Sequence, residues 1–133
     1  KDYYGAISDY TKAIEINPSY ESAYYNRGWN KDEIKDYYGA ISDYTKAIEI
    51  NPKKVKAYVN RGLSKSKIED HYGAISDYIK AIKIDPNNIM AYLNRSISKD
   101  KIGDLKGACL DAKKAESLGY LNKSNQMWIK NYC

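Results

Sequence analysis

The sequence repeats itself every 34 residues, and that period constrains the fold more tightly than any other property. Asp2-Tyr3-Tyr4-Gly5-Ala6-Ile7-Ser8-Asp9-Tyr10 returns as Asp36 to Tyr44, and again as Asp70 to Tyr78 with His71 replacing a tyrosine; a weaker copy runs from Asp104 to Ala112. Between these blocks, Ala23-Tyr24-Tyr25-Asn26-Arg27-Gly28 returns as Ala57 to Gly62 and as Ala91 to Ser96. A unit this short cannot seal an apolar face by itself, so the units must stack and bury those faces against one another.

Both blocks read as helices. Ala40, Ile41, Tyr44, Ala47 and Ile48 make an apolar stripe at the helical period. Asp36 is placed to cap the start. Asn51-Pro52 ends the helix, because the residue before a proline is pushed out of the α region, and Pro18 and Pro86 act likewise. The alternate helix, about Glu21 to Ile34, carries Tyr24, Gly28 and Lys31 on one side; the small Gly28 and Ala40 let the two helices approach closely. Strand signals are absent.

Composition narrows the function. The 133 residues are 43% hydrophobic and 29% charged, one folded domain's worth, with no apolar run long enough for a membrane span. A net charge of +5 favours acidic partners weakly and lacks the dense basic blocks of nucleic-acid arms. The chain opens on Lys1-Asp2 with neither a Met nor an apolar leader, and is expected to be part of something longer. Cys109 and Cys133 offer no disulfide framework and no metal-ligand spacing, so a reducing compartment, cytoplasmic by default, is the expectation. Cys109 stands where Ile7, Ile41 and Ile75 stand and reads as a small core residue. His71 reads as a helix-surface substitution and completes no nucleophile–base arrangement. The expectation is therefore a chain without catalysis, metal or cofactor.

A small residue at Gly28, then Ala40, the aromatic Tyr44, Ala47 and Pro52, with Tyr24 where tryptophan is frequent, resembles the tetratricopeptide repeat. The resemblance implies an all-α fold, a right-handed superhelical array of antiparallel helix pairs. Residues 1–20 are then the second helix of a truncated unit. Residues 21–54 and 55–88 are whole units, 89–120 a degenerate one, and 121–133 a capping helix whose Met127, Trp128 and Ile129 cover the third unit. The third unit departs most from the pattern, with Ser96 for glycine, Ala112 for the aromatic and Tyr120 for proline.

The resemblance further implies a concave face lined by the first helix of each unit, and a scaffold holding a peptide or helix of a partner protein. On that face fall Tyr25, Asn26 and Trp29; then Lys56, Val59, Asn60 and Leu63; then Met90, Leu93, Asn94 and Ile97. Asn26, Asn60 and Asn94 form an amide ladder able to pair with a peptide backbone or, alternatively, to tie one helix to the next. Arg27, Arg61 and Arg95 replace the family's usual leucine. An unpaired buried charge is costly, so they are expected to pair with Asp43, Asp77 and Asp111, which share the period. The carboxylate clamp of chaperone-binding relatives is a poor match: Asn60 and Lys56 fit parts of it, but the other clamp positions read Tyr25, Trp29, Leu93 and Ile97 in one register. Two rivals remain: head-to-tail self-assembly through the open repeat ends, and RNA binding, against which the scarcity of aligned cations argues.

Overall fold

Asp2, Asp36, Asp70 and Asp104 each open a helix by accepting a hydrogen bond from the backbone N–H three residues on, at 2.8 to 3.0 Å. In the computed structural model, which describes residues 1–133, these caps begin α1 (Tyr3–Ile16), α3 (Tyr37–Ile50), α5 (His71–Ile84) and α7 (Leu105–Ser117). The intervening helices are α2 (Glu21–Glu33), α4 (Val55–Lys67) and α6 (Ile89–Lys101), and α8 (Lys123–Tyr132) closes the chain. The first three capped helices stop just before Asn17-Pro18, Asn51-Pro52 and Asp85-Pro86. After α2, α4 and α6 the chain reverses through a left-handed residue, Lys35, Glu69 and Gly103 in turn.

Neighbouring helices pack in chain order from α1 to α8. In addition α2 approaches α4, and α4 approaches α6, whereas α1, α3, α5 and α7 never meet one another. The stack therefore curves, with α2, α4 and α6 on its inner side. This is an all-α solenoid of helix pairs, and no helix is long and apolar enough to cross a membrane.

The core follows the repeat. Ala40, Tyr44 and Ala47 of α3, and Ala74, Tyr78 and Ala81 of α5, are wholly buried. Gly28 lies against the Tyr44 ring and Gly62 against the Tyr78 ring, where a Cβ would press on the aromatic carbons. In the third pair the sizes exchange: Ala112 replaces the tyrosine and Ser96 the glycine, and the Ser96 hydroxyl donates to the Ala108 carbonyl at 2.8 Å. The face of α1 is only half-covered, with Ala6, Ile7, Tyr10, Ala13 and Ile14 all partly exposed.

At the other end the sequence expectation needs two corrections. Met127 is 64% exposed and covers nothing, while Trp128 and Ile129 are half-buried. Because α8 folds back along α7, Cys133 comes within 5.7 Å (Cα to Cα) of Cys109 and the two are joined in a disulfide. Cys109 is thus a half-buried cross-link rather than a small core residue.

Candidate functional site: the inner face of α2, α4 and α6

Behind the inner face a polar module recurs. Arg61 donates two hydrogen bonds to Asp77, at 2.9 and 2.7 Å, and a third to the Thr45 hydroxyl at 3.1 Å. Arg27 makes the same set with Asp43 and Thr11. Arg95 holds Asp111 at 2.7 Å but lacks the third bond, because Ile79 stands where the threonines are. One turn on from each arginine, Lys31, Lys65 and Lys99 reach the same buried carboxylates at 2.9 to 3.0 Å. Each arginine also lies over a tyrosine ring (Tyr24, Tyr58 or Tyr92) at 5.7 to 5.8 Å from its centroid. Two cations on one desolvated carboxylate satisfy it fully and lock successive helices together. The Asp43 carboxylate holds the Arg27 guanidinium above its ordinary pKa. Asp9, with no arginine ahead of it, is exposed and unpaired.

In front of this frame the inner face carries two cavities at equivalent places in successive units. The first, 260 Å³, lies between α2 and α4 and is lined by Trp29, Asp32, Asn60, Leu63, Ser64 and Lys67, among others. Its polar groups are internally matched. The Asp32 carboxylate accepts from the Tyr44 hydroxyl (2.7 Å) and the Ser64 hydroxyl (2.7 Å), and Asn60 donates to the Tyr25 hydroxyl (2.8 Å). Burial pushes the Asp32 carboxyl above the usual carboxylate range, and its two hydroxyl donors oppose that rise. Burial also raises Tyr44 and Tyr25.

The second cavity, 390 Å³, lies one unit on, between α4 and α6. Here Leu63 takes the place of Trp29, Ser66 of Asp32, Asn94 of Asn60, Ser98 of Ser64 and Lys101 of Lys67. Ser66 and Ser98 bond each other at 3.1 Å beside the Tyr78 hydroxyl. The Tyr78 hydroxyl faces both serines, which lower its pKa, but makes no well-formed hydrogen bond to either, and the Asn94 amide nitrogen is unmatched. Burial pushes the Tyr78 hydroxyl up to about 12. His71 lines this cavity as well, correcting its reading as a surface substitution. As the first residue of α5 it turns toward the α4–α6 junction, with Nε2 on Glu69 at 2.9 Å and Nδ1 unpartnered.

The residues expected on the inner face fall into distinct environments. Leu63, Leu93, Asn26 and Asn60 are half-buried there, and Met90, Ile97 and Lys56 are exposed. Trp29 is half-buried, edge-on to Tyr3 with its centroid 6.2 Å away, and Lys1 lies 4.5 Å above it. Tyr25 is half-buried beneath Lys54, 4.4 Å from its ring. Val59 is no part of the surface. It is 7% exposed, sealed in a cluster with Ile48, Ala57, Tyr58, Ala81 and Ala91, because its short side chain ends where α3 and α5 close over α4. The amides likewise split: Asn60 ties two helices together, while Asn94 is 8% exposed at the back of the second cavity. Sequence reasoning missed Lys31, Lys65 and Lys99, though each recurs at the period four residues after its arginine. It also missed Asp32, Ser66, Tyr78 and Ser98; their signal lay in reading position 32 and its counterpart at 66 against the buried tyrosines.

A curved stack of helix hairpins with a cavitied inner face defines a helical-repeat solenoid. Residues 1–29 match the model for the TPR repeat, and residues 21–54 and 55–88 each match the model for the Tetratricopeptide repeat, the latter two making up just over half of the chain. The chain belongs to the tetratricopeptide repeat family. Among solved structures it is similar to MamA (28% identity, TM-score 0.82, covering 84% of this chain and 66% of that one). It is also similar to the Arabidopsis OM64 TPR domain (27% identity, TM-score 0.80, covering 84% and 93%). The first TPR domain of Spaghetti (RPAP3), bound to the HSP90 peptide SRMEEVD, shares the fold at 20% identity (TM-score 0.81, covering 84% and 89%). The chain thus spans about two thirds of the MamA chain's length. No curated protein matches it by sequence.

Proposed function

We propose that the chain is a protein-interaction module that holds a peptide segment or helix of a partner along the inner face of α2, α4 and α6. The observation that carries this reading is apolar surface left uncovered on that face, with Met90 and Ile97 about half exposed (48% and 52%) beside the half-buried Leu63 and Leu93. Lys67 and Lys101 flank it, and neither engages an acidic side chain. An apolar floor with cations at its edge suits an amphipathic segment carrying acidic residues. The binding of an HSP90 peptide by RPAP3 supports the fold's capacity for peptides. It does not supply the partner, since beside the fitting Asn60 and Lys56 the other clamp positions here hold Tyr25, Trp29, Leu93 and Ile97.

The test is selection of binders from a displayed random-peptide library with the 133-residue chain. Enriched peptides should lose binding at least about tenfold to an Ile97→Ala, Lys101→Ala double variant. They should bind normally to Tyr38→Ser, which alters an exposed tyrosine of α3. The reverse pattern would move the site to the outer face.

A second reading is favoured by the half-covered α1 face: a second copy adds its C-terminal helix there, head to tail. Mass measured by light scattering should then rise with concentration; a constant monomer mass at high micromolar concentration removes this reading.

A further inference from the structure

We propose that the cavity between α4 and α6 is a receptor for an acidic side chain, Asp or Glu, of the segment lying in the groove. The molecule's own repetition points to it. At the first junction a carboxylate, Asp32, sits where Tyr44 and Ser64 each donate to it at 2.7 Å. At the second junction the same two donors recur as Tyr78 and Ser98, but Ser66 replaces the carboxylate and the cavity widens from 260 to 390 Å³. The wholly buried tyrosine hydroxyl faces Ser66 and Ser98 without a well-formed hydrogen bond to either. The amide of Asn94 is orphaned for a parallel reason: the hydroxyl that serves Asn60 belongs to Tyr25, and its counterpart one unit on is Val59. Buried polar groups in native structures are rarely left unmatched, and such groups mark a place where something else completes them.

The missing group is a carboxylate. It breaks the Ser66–Ser98 bond and takes the hydrogens of Ser98 and Tyr78, as Asp32 takes those of Ser64 and Tyr44. Asn94 adds a further donor, and Lys67 and Lys101 supply positive charge at the edge. His71 Nε2 meets the Glu69 carboxylate, and its Nδ1 is left without a partner at the edge of the cavity. Further cavities adjoin this one on both sides, along α2–α4 and along α6–α8, so a bound chain runs on in both directions and presents a side chain rather than its end. The acidic residue as source rests on the groove reading; the carboxylate site itself does not.

The probe is sodium acetate, titrated into the intact chain and followed by NMR at the Asn94 side-chain amide and the Tyr78 ring, with acetamide and sodium chloride as controls. Acetate should shift these signals saturably and the controls should not. Ser66→Asp, which restores the internal carboxylate, should raise the melting temperature and abolish the response. Tyr78→Phe removes an unmatched hydroxyl, so it should fold at least as well and bind acetate more weakly. Lys101→Ala should weaken acetate about fivefold, the scale of one partly solvated charge contact. An equal response to acetamide, or acetate binding unchanged in Tyr78→Phe, overturns the proposal. Blocked pentapeptides Gly-Gly-Glu-Gly-Gly and Gly-Gly-Gln-Gly-Gly separate the sources, alongside pentaglycine with a free carboxyl end. Only the Glu peptide should match acetate, and binding by pentaglycine alone would overturn the side-chain assignment. Acetate binding with no selected peptide mapping to the inner face would refute the groove reading and leave the carboxylate site standing.

Discussion

Arg61 reaches Asp77 with two hydrogen bonds while Lys65 holds the same carboxylate, and the aspartate is almost wholly out of water. Removing one partner of such a group leaves charge that the fold cannot solvate. Arg61→Met should therefore cost about 3 kcal/mol by chemical denaturation. Asp9→Asn, at the exposed repeat of the same position, should stay within about 0.5 kcal/mol of the parent. The buried tyrosines give a second outcome. Tyr78 is raised from near 10 to about 12 by burial, so between those values the fold binds a proton that the unfolded chain has released. Stability should be unaffected below about pH 10 and fall as pH climbs toward 12, and Tyr78→Phe should flatten that fall in melts taken across this range. The arginine period and the aspartate period were both legible in the sequence, since buried charge must be matched wherever it recurs. The second cation was not, because one lysine per unit on a helix reads equally as a solvated surface residue.

Helix boundaries were the most legible feature at the next scale, for Asp caps and Asn-Pro stops are local chemistry that tertiary packing does not override here. What the sequence hid was the direction of side chains near helix ends and at the terminus. Val59 and His71 lie at periodic positions whose counterparts are half-exposed, and only tertiary packing places Val59 in a sealed cluster with residues of α3, α5 and α6 and turns His71 to the α4–α6 junction. The Cys109–Cys133 bond was equally hidden, because it depends on α8 folding back along α7. Since no residue of α8 is fully buried, reduction should free that helix: its amide exchange should rise sharply while α2 to α6 keep their protection. The turns after α2 and α4 carry strain that the turn after α6 avoids. Lys35 adopts a φ of 63° where Gly103 stands in the third unit, so Lys35→Gly should raise stability by up to about 1 kcal/mol in thermal melts.

Over the whole molecule, the repeat separates two tasks that a less regular fold mixes. The Arg–Asp–Lys modules recur in all three pairs and the tyrosine-against-glycine contact in two, and together they hold the stack. The inner face varies from unit to unit: Trp29, Leu63 and Ile97 along one row, Asp32, Ser66 and Asp100 along another. On the proposed function, recognition falls to the surface that varies, and the frame keeps those varied side chains at a fixed spacing. The most direct measurement is backbone-amide shift mapping of the intact chain against a peptide selected for binding. Perturbations should concentrate on α2, α4 and α6 around Leu63, Asn94 and Ile97; shifts confined to the outer surfaces of α3, α5 and α7 would rule out binding on the inner face.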